Sequence, residues 1–259
     1  MFTTLVLSHS GRVSQIALSR PPLNLLTAEM LGELHAAFDL VRSRAETRSV
    51  ILTGSGPRAF CAGADLNEES RPRDEGGRGL RDAGRRLVEE IETFPKPIVA
   101  AIRGWCIGGG TGLAWACDIR LAGTSAKFRA GDAYLGIIPT WSLGMVRLVH
   151  YIGRNRALDV LLLGDDINAE RAAELGLVSL VVPDDQVDGE ARRVAERLAS
   201  GAPLALQAIK EGVRCQYREG VDQAAELEEH WARRILSSHD AREGIQAFRD
   251  RRAPQFRGE

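Results

Sequence analysis

Three consecutive glycines, Gly108, Gly109 and Gly110, lie between an apolar strand-like run and an apolar helical pattern. Such a run costs backbone entropy, and folded proteins retain it where another group must approach the main chain closely. At a helix N-terminus the first backbone N–H groups have no partner within the helix, and the helix dipole adds partial positive charge. The spacing therefore predicts a site that stabilises negative charge. A turn that only packs the helix against the strand remains the alternative.

The glycine turn does not match the common nucleotide-binding motifs. No Gly-Lys-Ser/Thr sequence follows it, which excludes a P-loop. The third glycine of the dinucleotide-binding fingerprint would fall on Leu113 or on Trp115, depending on where the motif is started. The turn by itself therefore identifies no nucleotide cofactor.

Further segments carry small residues and carboxylates in a fixed order along the chain. Residues 59–66 read Ala-Phe-Cys-Ala-Gly-Ala-Asp-Leu, Asp118 follows the glycine turn, and residues 135–139 read Leu-Gly-Ile-Ile-Pro. Taken with the glycine turn, these segments strongly resemble the crotonase superfamily, which comprises the enoyl-CoA hydratases and isomerases. The resemblance extends from Leu-Ser-Arg-Pro at residues 18–21 to Glu-Gly-Ile-Gln-Ala-Phe at residues 243–248.

The resemblance implies a site in which two backbone N–H groups hold the thioester oxygen of an acyl-CoA as it becomes an enolate. The matching positions are Ala64 and Gly109. A peptide N–H needs no particular side chain, but close approach to it needs small neighbours, which Ala62, Gly63 and Gly108 provide. The resemblance also implies that the Ala62 carbonyl lies near the adenine of coenzyme A. In other enzymes, loss of one such donor lowers the rate by ~10²–10³.

The acid–base residues depart from the pattern of the hydratases. Those enzymes use two glutamates; the first of these positions is Gly112 here, and the second is Asp132. Gly112 cannot move a proton, whereas Asp132 can act as a general base with a side chain one methylene shorter. Addition of water to a double bond usually needs two groups, whereas moving a double bond needs one. The sequence therefore favours isomerisation over hydration, although Asp132 could instead cap a turn beside Gly131.

Other residues match family positions, each with a simpler structural alternative. Arg20 and Arg251 match contacts to the phosphates of coenzyme A, and guanidinium groups suit phosphate geometry, but both could be solvated surface charges. Tyr134 and Trp141 match positions near the acyl pocket, although aromatic residues there are often part of the core. Asp118 is expected to be a buried acceptor for backbone donors rather than a catalytic acid.

The order of predicted elements indicates an α/β fold. Strand and helix patterns alternate to about residue 183, beginning with a strand at Val13–Leu18 and a helix capped by Thr27, and an α-helical segment follows. Residues 60–66 are predicted to be irregular, and residues 67–86 a mobile loop that leads into a helix at 87–94. The resemblance implies a crotonase-like spiral of ββα turns that binds acyl-CoA, and it implies trimers or dimers of trimers.

The domain division places this spiral core at residues 1–183. Residues 184–259 form a helical region for oligomerisation and pocket closure. Both boundaries are predictions from the change in element pattern at about residue 183.

Composition excludes several classes of protein. The chain has 259 residues, 44% hydrophobic residues and a formal net charge of −1, which argues against nucleic acid or an anionic membrane as a partner. No apolar run has the length of a membrane span, and the N-terminus lacks a signal-peptide pattern. The four cysteines are scattered without a CxxC pair, so reduced thiols, a cytoplasmic location and no metal site are expected. No cofactor is expected, because coenzyme A is part of the substrate.

Different function classes remain open at this stage. The leading interpretation is an enzyme of the enoyl-CoA hydratase/isomerase type with a single carboxylate. In a variation of it, a small acid such as bicarbonate occupies the space left by Gly112. A decarboxylase, hydrolase or ring-forming enzyme of the same fold is an alternative. The other classes are a non-catalytic acyl-CoA binding protein and an oligomeric scaffold.

Overall fold

The computed structural model describes residues 2–69, 79–139 and 144–259. The strands are β1 (Leu5–Ser10), β2 (Val13–Leu18), β3 (Ser49–Gly54), β4 (Ala59–Cys61), β5 (Ile98–Ile102), β6 (Trp105–Ile107), β7 (Ile119–Gly123), β8 (Lys127–Arg129), β9 (Ile167–Asn168) and β10 (Leu180–Val182). The helices are α1 (Ala28–Ser43), α2 (Leu66–Glu69), α3 (Leu80–Thr93), α4 (Gly109–Ala116), α5 (Gly144–Ile152), α6 (Arg154–Leu163), α7 (Ala169–Glu174), α8 (Val187–Ala199), α9 (Pro203–Glu219), α10 (Val221–Leu236) and α11 (His239–Asp250). Short 3₁₀ turns occupy Asp132–Leu135 and Asp184–Gln186.

Within the described residues the strands form two sheets. The larger has the order β1-β2-β3-β5-β7-β10 and is parallel apart from the β1–β2 hairpin. The smaller has the order β4-β6-β8-β9 and is parallel apart from the β8–β9 pair. Each of β3, β5 and β7 is followed by a short strand of the smaller sheet, and helices return the chain to the larger sheet. This arrangement confirms the predicted spiral of ββα turns.

The larger sheet is covered on both faces, as β3 illustrates. Val50 and Leu52 pack in the main core with residues of α1 and α3, whereas Ile51 packs on the opposite face with Ala191 and Ala195 of α8. Complete burial of a branched aliphatic side chain stabilises a fold by roughly 1.5–3 kcal/mol. A sheet buried on both faces is a rigid base for the loops that leave its strands.

Helix α1 begins where the sequence predicted. The Met30 N–H donates to the Thr27 hydroxyl at 3.2 Å, which satisfies one of the unpaired donors of the first turn. Leu31, Leu34 and Phe38 then form one buried face of the helix. The prediction of Thr27 as N-cap is confirmed.

The predictions for residues 60–66 and 67–86 are wrong in part. Strand β4 ends at Cys61 and α2 begins at Leu66, so the first segment is only partly irregular. Helix α3 starts at Leu80 rather than at residue 87, because its first turns carry charged residues on the exposed face while Leu87, Val88 and Ile91 form the buried face. Residues 70–78 lie outside the described residues.

A buried cluster of charged groups joins α3, α5 and α9. The Arg147 side chain is 2% exposed, and its Nε and Nη2 atoms lie 3.1 and 2.8 Å from the two carboxylate oxygens of Glu92. Arg218 Nη2 lies 2.8 Å from Glu92 Oε2, and the Tyr217 hydroxyl donates to Glu92. Burial by itself would raise the pKa of Glu92, but these partners lower it overall. The cluster therefore fixes α5 to α3 and α9.

The helical character of the chain after Pro183 is also confirmed. Asp118, which directly precedes β7, accepts hydrogen bonds from the Ile98 N–H at 2.7 Å and from Lys210 Nζ at 2.6 Å, and the lysine belongs to α9. Burial raises the pKa of Asp118, and the Lys210 charge opposes that rise. Asp118 is thus an acceptor for a backbone donor, as predicted, and also an anchor for the C-terminal helices.

In the part of the chain that the structure describes, no helix has the length and apolar character needed to cross a membrane.

Candidate active site

The carboxyl ends of three neighbouring parallel strands meet at one edge of the smaller sheet. Strand β4 leads into residues 62–66, β6 leads into the glycine turn, and β8 leads into the 3₁₀ turn that begins with Asp132. Because β4 pairs with β6 and β6 pairs with β8, all in parallel, these three segments lie side by side. A cleft of about 740 Å³ opens at this edge. Among the predicted site residues, those that line it are Ala62, Gly63, Ala64, Gly108, Gly109, Asp132 and Tyr134.

The backbone between β4 and α4 is packed so closely that side chains would not fit. A Cβ at Gly63, whose φ is +99°, would lie 3.1 Å from the Ile107 carbonyl oxygen and 3.7 Å from the Gly109 nitrogen. A Cβ at Gly110 would lie 2.1 Å from the Cys61 carbonyl oxygen. Gly108 has a φ of +51°, a conformation that favours glycine, where the chain turns from β6 into α4. These glycines bring the two predicted N–H donors into the same cleft.

Both of these N–H groups are left unused by the surrounding structure. Gly109 is the first residue of α4, so its N–H has no partner within the helix. Ala64 lies between two bonds of a parallel bridge: Leu26 N–H donates to the Gly63 carbonyl and Asp65 N–H to the Leu26 carbonyl, each at 2.9 Å. Neither N–H group donates a hydrogen bond to another described residue. The pair can therefore hold an oxygen atom of a ligand.

Asp132 lines the same cleft as these donors and is the one acidic residue among the described lining residues. Burial raises the pKa of its carboxyl group, and only its own backbone N–H opposes that rise. No side chain among the described residues forms an ion pair with it. A carboxylate that is half-buried and has no counter-ion is a stronger base than an exposed one, which suits proton abstraction.

Other chemistries have no support at this site. Cys61, which ends β4, is buried, and burial raises the pKa of its thiol to about 12, so a thiolate nucleophile is disfavoured. No histidine lines the cleft among the described residues. Over residues 2–69, 79–139 and 144–259 there is no group of three or more His, Cys, Asp or Glu side chains that could hold a metal ion.

Three of the predicted site residues, Gly112, Arg20 and Arg251, do not line the cleft. Gly112 is buried within α4, and Arg251 is an exposed residue with a φ of +54° at the end of α11. Arg20 is 40% exposed at its side chain and lies 3.1 Å from Asp65, which follows Ala64. Trp141 lies outside the described residues. Tyr134 lines the cleft, and its hydroxyl donates to the Leu162 carbonyl at 3.1 Å.

Several lining residues were not singled out from the sequence. Arg81 is in the first turn of α3, which the sequence interpretation assigned to a loop, and Leu163 and Gly164 end α6. Arg129 also lines the cleft, and its Nε lies 2.7 Å from Asp166 Oδ1. The spacing of Leu80, Leu87 and Ile91 was the signal that would have assigned Arg81 to a helix rather than to a loop.

Comparisons with known proteins agree with this fold. The family model "Enoyl-CoA hydratase/isomerase" matches residues 8–259. A probable enoyl-CoA hydratase of Bacillus subtilis (strain 168) is 39% identical over 249 residues, covering 95% of this chain and 96% of that protein. A 1,2-epoxyphenylacetyl-CoA isomerase of Escherichia coli (strain K12) is 35% identical, covering 98% of each chain. The crystal structure of an enoyl-CoA hydratase from Bacillus anthracis superposes with a TM-score of 0.94 at 36% identity, covering 99% of this chain and 100% of that one.

The family match extends over nearly the whole chain, and both relatives are similar over nearly their full lengths. Their names include a hydratase and an isomerase, so the comparisons identify the family and the thioester class without choosing the reaction. The chain belongs to the enoyl-CoA hydratase/isomerase family and is an enzyme that acts on acyl-CoA.

Proposed function

We propose that this enzyme moves a double bond within the acyl group of an enoyl-CoA thioester. The observation that carries the proposal is the presence, in one cleft, of two unused N–H groups and of one carboxylate among the described lining residues. Asp132 removes a proton from C2 of a 3-enoyl-CoA, and the N–H groups of Ala64 and Gly109 hold the oxygen of the resulting dienolate. Asp132 then returns the proton to C4, which gives the conjugated 2-enoyl-CoA.

The electrostatics of the site support this division of roles. Charge develops on the thioester oxygen, and fixed N–H dipoles at the start of α4 are already oriented to stabilise it. A raised pKa brings Asp132 closer to the acidity of the carbon acid it must deprotonate and later reprotonate. The same carboxyl group serves both steps, so the reaction does not need an acidic side chain at position 112.

Hydration is the second candidate, because relatives at 36–39% identity carry the name enoyl-CoA hydratase. Addition of water to a 2-enoyl-CoA needs a base for the water and a proton for C2. With Asp132 as the one acidic residue among the described lining residues, this reaction proceeds more slowly than in a site with two carboxylates, unless a small acid such as bicarbonate occupies the space beside Gly112. A general acid or base is typically worth ~10²–10⁴ in rate.

Matched panels of 2-enoyl-CoA and 3-enoyl-CoA thioesters separate these reactions through the ultraviolet absorbance of the conjugated thioester. Absorbance that grows from a 3-enoyl-CoA supports isomerisation, whereas absorbance that decays from a 2-enoyl-CoA supports hydration. A hydration rate that rises with bicarbonate supports a borrowed acid. No change with either panel, together with tight binding of acyl-CoA, overturns the proposal in favour of a binding protein or another enolate reaction.

Assembly into homotrimers, or dimers of trimers, is part of the same proposal. It is supported by large apolar side chains that are more than half exposed on α9, α10 and α11, including Ile209, Val213, Leu236 and Phe248. Exposed apolar patches of this kind favour contact with another chain. Light scattering on the purified protein tests the assembly, and a monomer at micromolar concentration would contradict it.

A further inference from the structure

Arg81 is a cation in the cleft that the proposed reaction does not use. It is the second residue of α3, it is half-buried, and it lines the same cleft as Ala64 and Asp132. No ion pair or hydrogen bond joins its side chain to any other residue in the described part of the chain. The other arginine among the described lining residues differs, because Arg129 is paired with Asp166 at 2.7 Å. Arg81 therefore retains its positive charge for a ligand.

Asp132 is not the partner of this charge. The pKa of Asp132 is raised by burial, and no nearby cation offsets that rise. The guanidinium and the carboxylate are thus separate features of one cleft. An acyl group that is long enough can therefore contact Asp132 with one part and Arg81 with another.

The remaining side chains of the cleft are mostly apolar. Leu66, Ile137 and Ile138 line it and are each about half exposed in the absence of substrate, so an acyl chain can cover them. A guanidinium beside such a surface binds a planar carboxylate through two parallel hydrogen bonds, which gives both affinity and orientation. Removal of water by the acyl chain strengthens this interaction.

We propose that Arg81 binds a carboxylate carried by the acyl group, so that the substrates are enoyl-CoA thioesters of unsaturated dicarboxylic acids. The inference rests on the proposed function, because it requires the acyl group to lie between the N–H donors and Asp132. An anion on coenzyme A itself, such as a phosphate, has the same chemistry toward a guanidinium. The two sources differ in that every acyl-CoA carries the phosphates, whereas only some acyl groups carry the carboxylate.

The test compares two thioesters whose acyl groups have the same six carbons and the same double bond, one ending in a methyl group and the other in a carboxylate. The variant is Arg81→Gln, and the matched control is Arg85→Gln, one turn later on the same helix. Arg85 is 52% exposed at its side chain, pairs with Glu89 at 3.4 Å and does not line this cleft.

We expect Arg81→Gln to lower kcat/KM for the carboxylate thioester by about 10- to 100-fold, because it removes a charged hydrogen-bond partner. The methyl thioester should change by less than about threefold, and Arg81→Lys should recover part of the loss because it restores the charge without the planar fork. Arg85→Gln should leave both rates unchanged.

An equal loss with both thioesters would assign Arg81 to coenzyme A and overturn the inference, and so would no loss with either. A wild-type preference for the methyl thioester would overturn it as well. Failure of the proposed function is distinguished by binding of the saturated six-carbon thioesters, which cannot isomerise or add water. If neither unsaturated thioester reacts but Arg81→Gln weakens binding of only the saturated carboxylate thioester, the reaction is wrong and the carboxylate site stands.

Discussion

The substitution Gly110→Ala tests whether close packing of α4 on β4 positions the N–H donors. A Cβ at this position would lie 2.1 Å from the Cys61 carbonyl oxygen, whereas ordinary contact begins near 3.4 Å. Because protein interiors are densely packed, small shifts of single atoms cannot relieve this clash. The strand and the helix must therefore separate by about 1 Å. Misplacement of a catalytic group by about 1 Å lowers a rate by ~10²-fold. Overpacking of this kind destabilises a fold by about 1–3 kcal/mol.

The assay measures kcat/KM with the reactive thioester and the free energy of unfolding in urea. The control is Gly32→Ala, an exposed position in the middle of α1 where a Cβ would meet nothing within 4 Å. It should stabilise the protein by about 0.5–1 kcal/mol and leave kcat/KM unchanged. A Gly110→Ala enzyme that folds and keeps wild-type kcat/KM would refute the argument that this contact sets the geometry of the donors.

Three further predictions concern charge and capping. Because burial raises the pKa of Asp132, kcat/KM should fall with decreasing pH at values above the ordinary aspartate pKa of about 4; a profile flat down to pH 4 would contradict this. Arg147→Met should lower the free energy of unfolding measured in urea by about 3 kcal/mol, because Glu92 stays buried and keeps only its ion pair with Arg218 among the described residues. A loss below about 1 kcal/mol would show that the Arg147–Glu92 pair contributes little. Thr27→Ala should cost about 1 kcal/mol at unchanged kcat/KM, and an unchanged melting temperature would argue against the cap.

Local patterns in the sequence were sufficient for some elements of the fold. The strand at Val13–Leu18 and the helix at Val221–Leu236 have their predicted bounds, because turn residues and helical spacing mark both ends. The glycine turn also indicated an unused N–H group, since helix geometry leaves the first donors unpaired wherever the helix lies. Short-range physics determines these features.

Long-range contacts determine the features that the sequence did not reveal. The last three residues of strand β1 are polar, so no alternating pattern marks this strand. Its register on β2 cannot be deduced without the partner strand. Helix α11 was recognised only as a motif, although Ser238 caps it and the buried Asp240 holds the C-terminal residues. Arg81 enters the cleft only because α3 packs beside α2 and α4, which no local pattern predicts. The carboxylate of Glu92 likewise meets Arg147 across a separation of 55 residues.

Exchange of the acyl-CoA C2 proton with deuterated water reports enolate formation, whatever the later step of the reaction. We expect exchange by the wild-type enzyme, and a rate lower by ~10²-fold or more in Asp132→Asn. Since the pKa of Asp132 is raised, the folded state disfavours its ionised form, so the neutral amide should not lower the melting temperature. Exchange by Asp132→Asn at the wild-type rate would contradict the assignment of Asp132 as the base that forms the enolate.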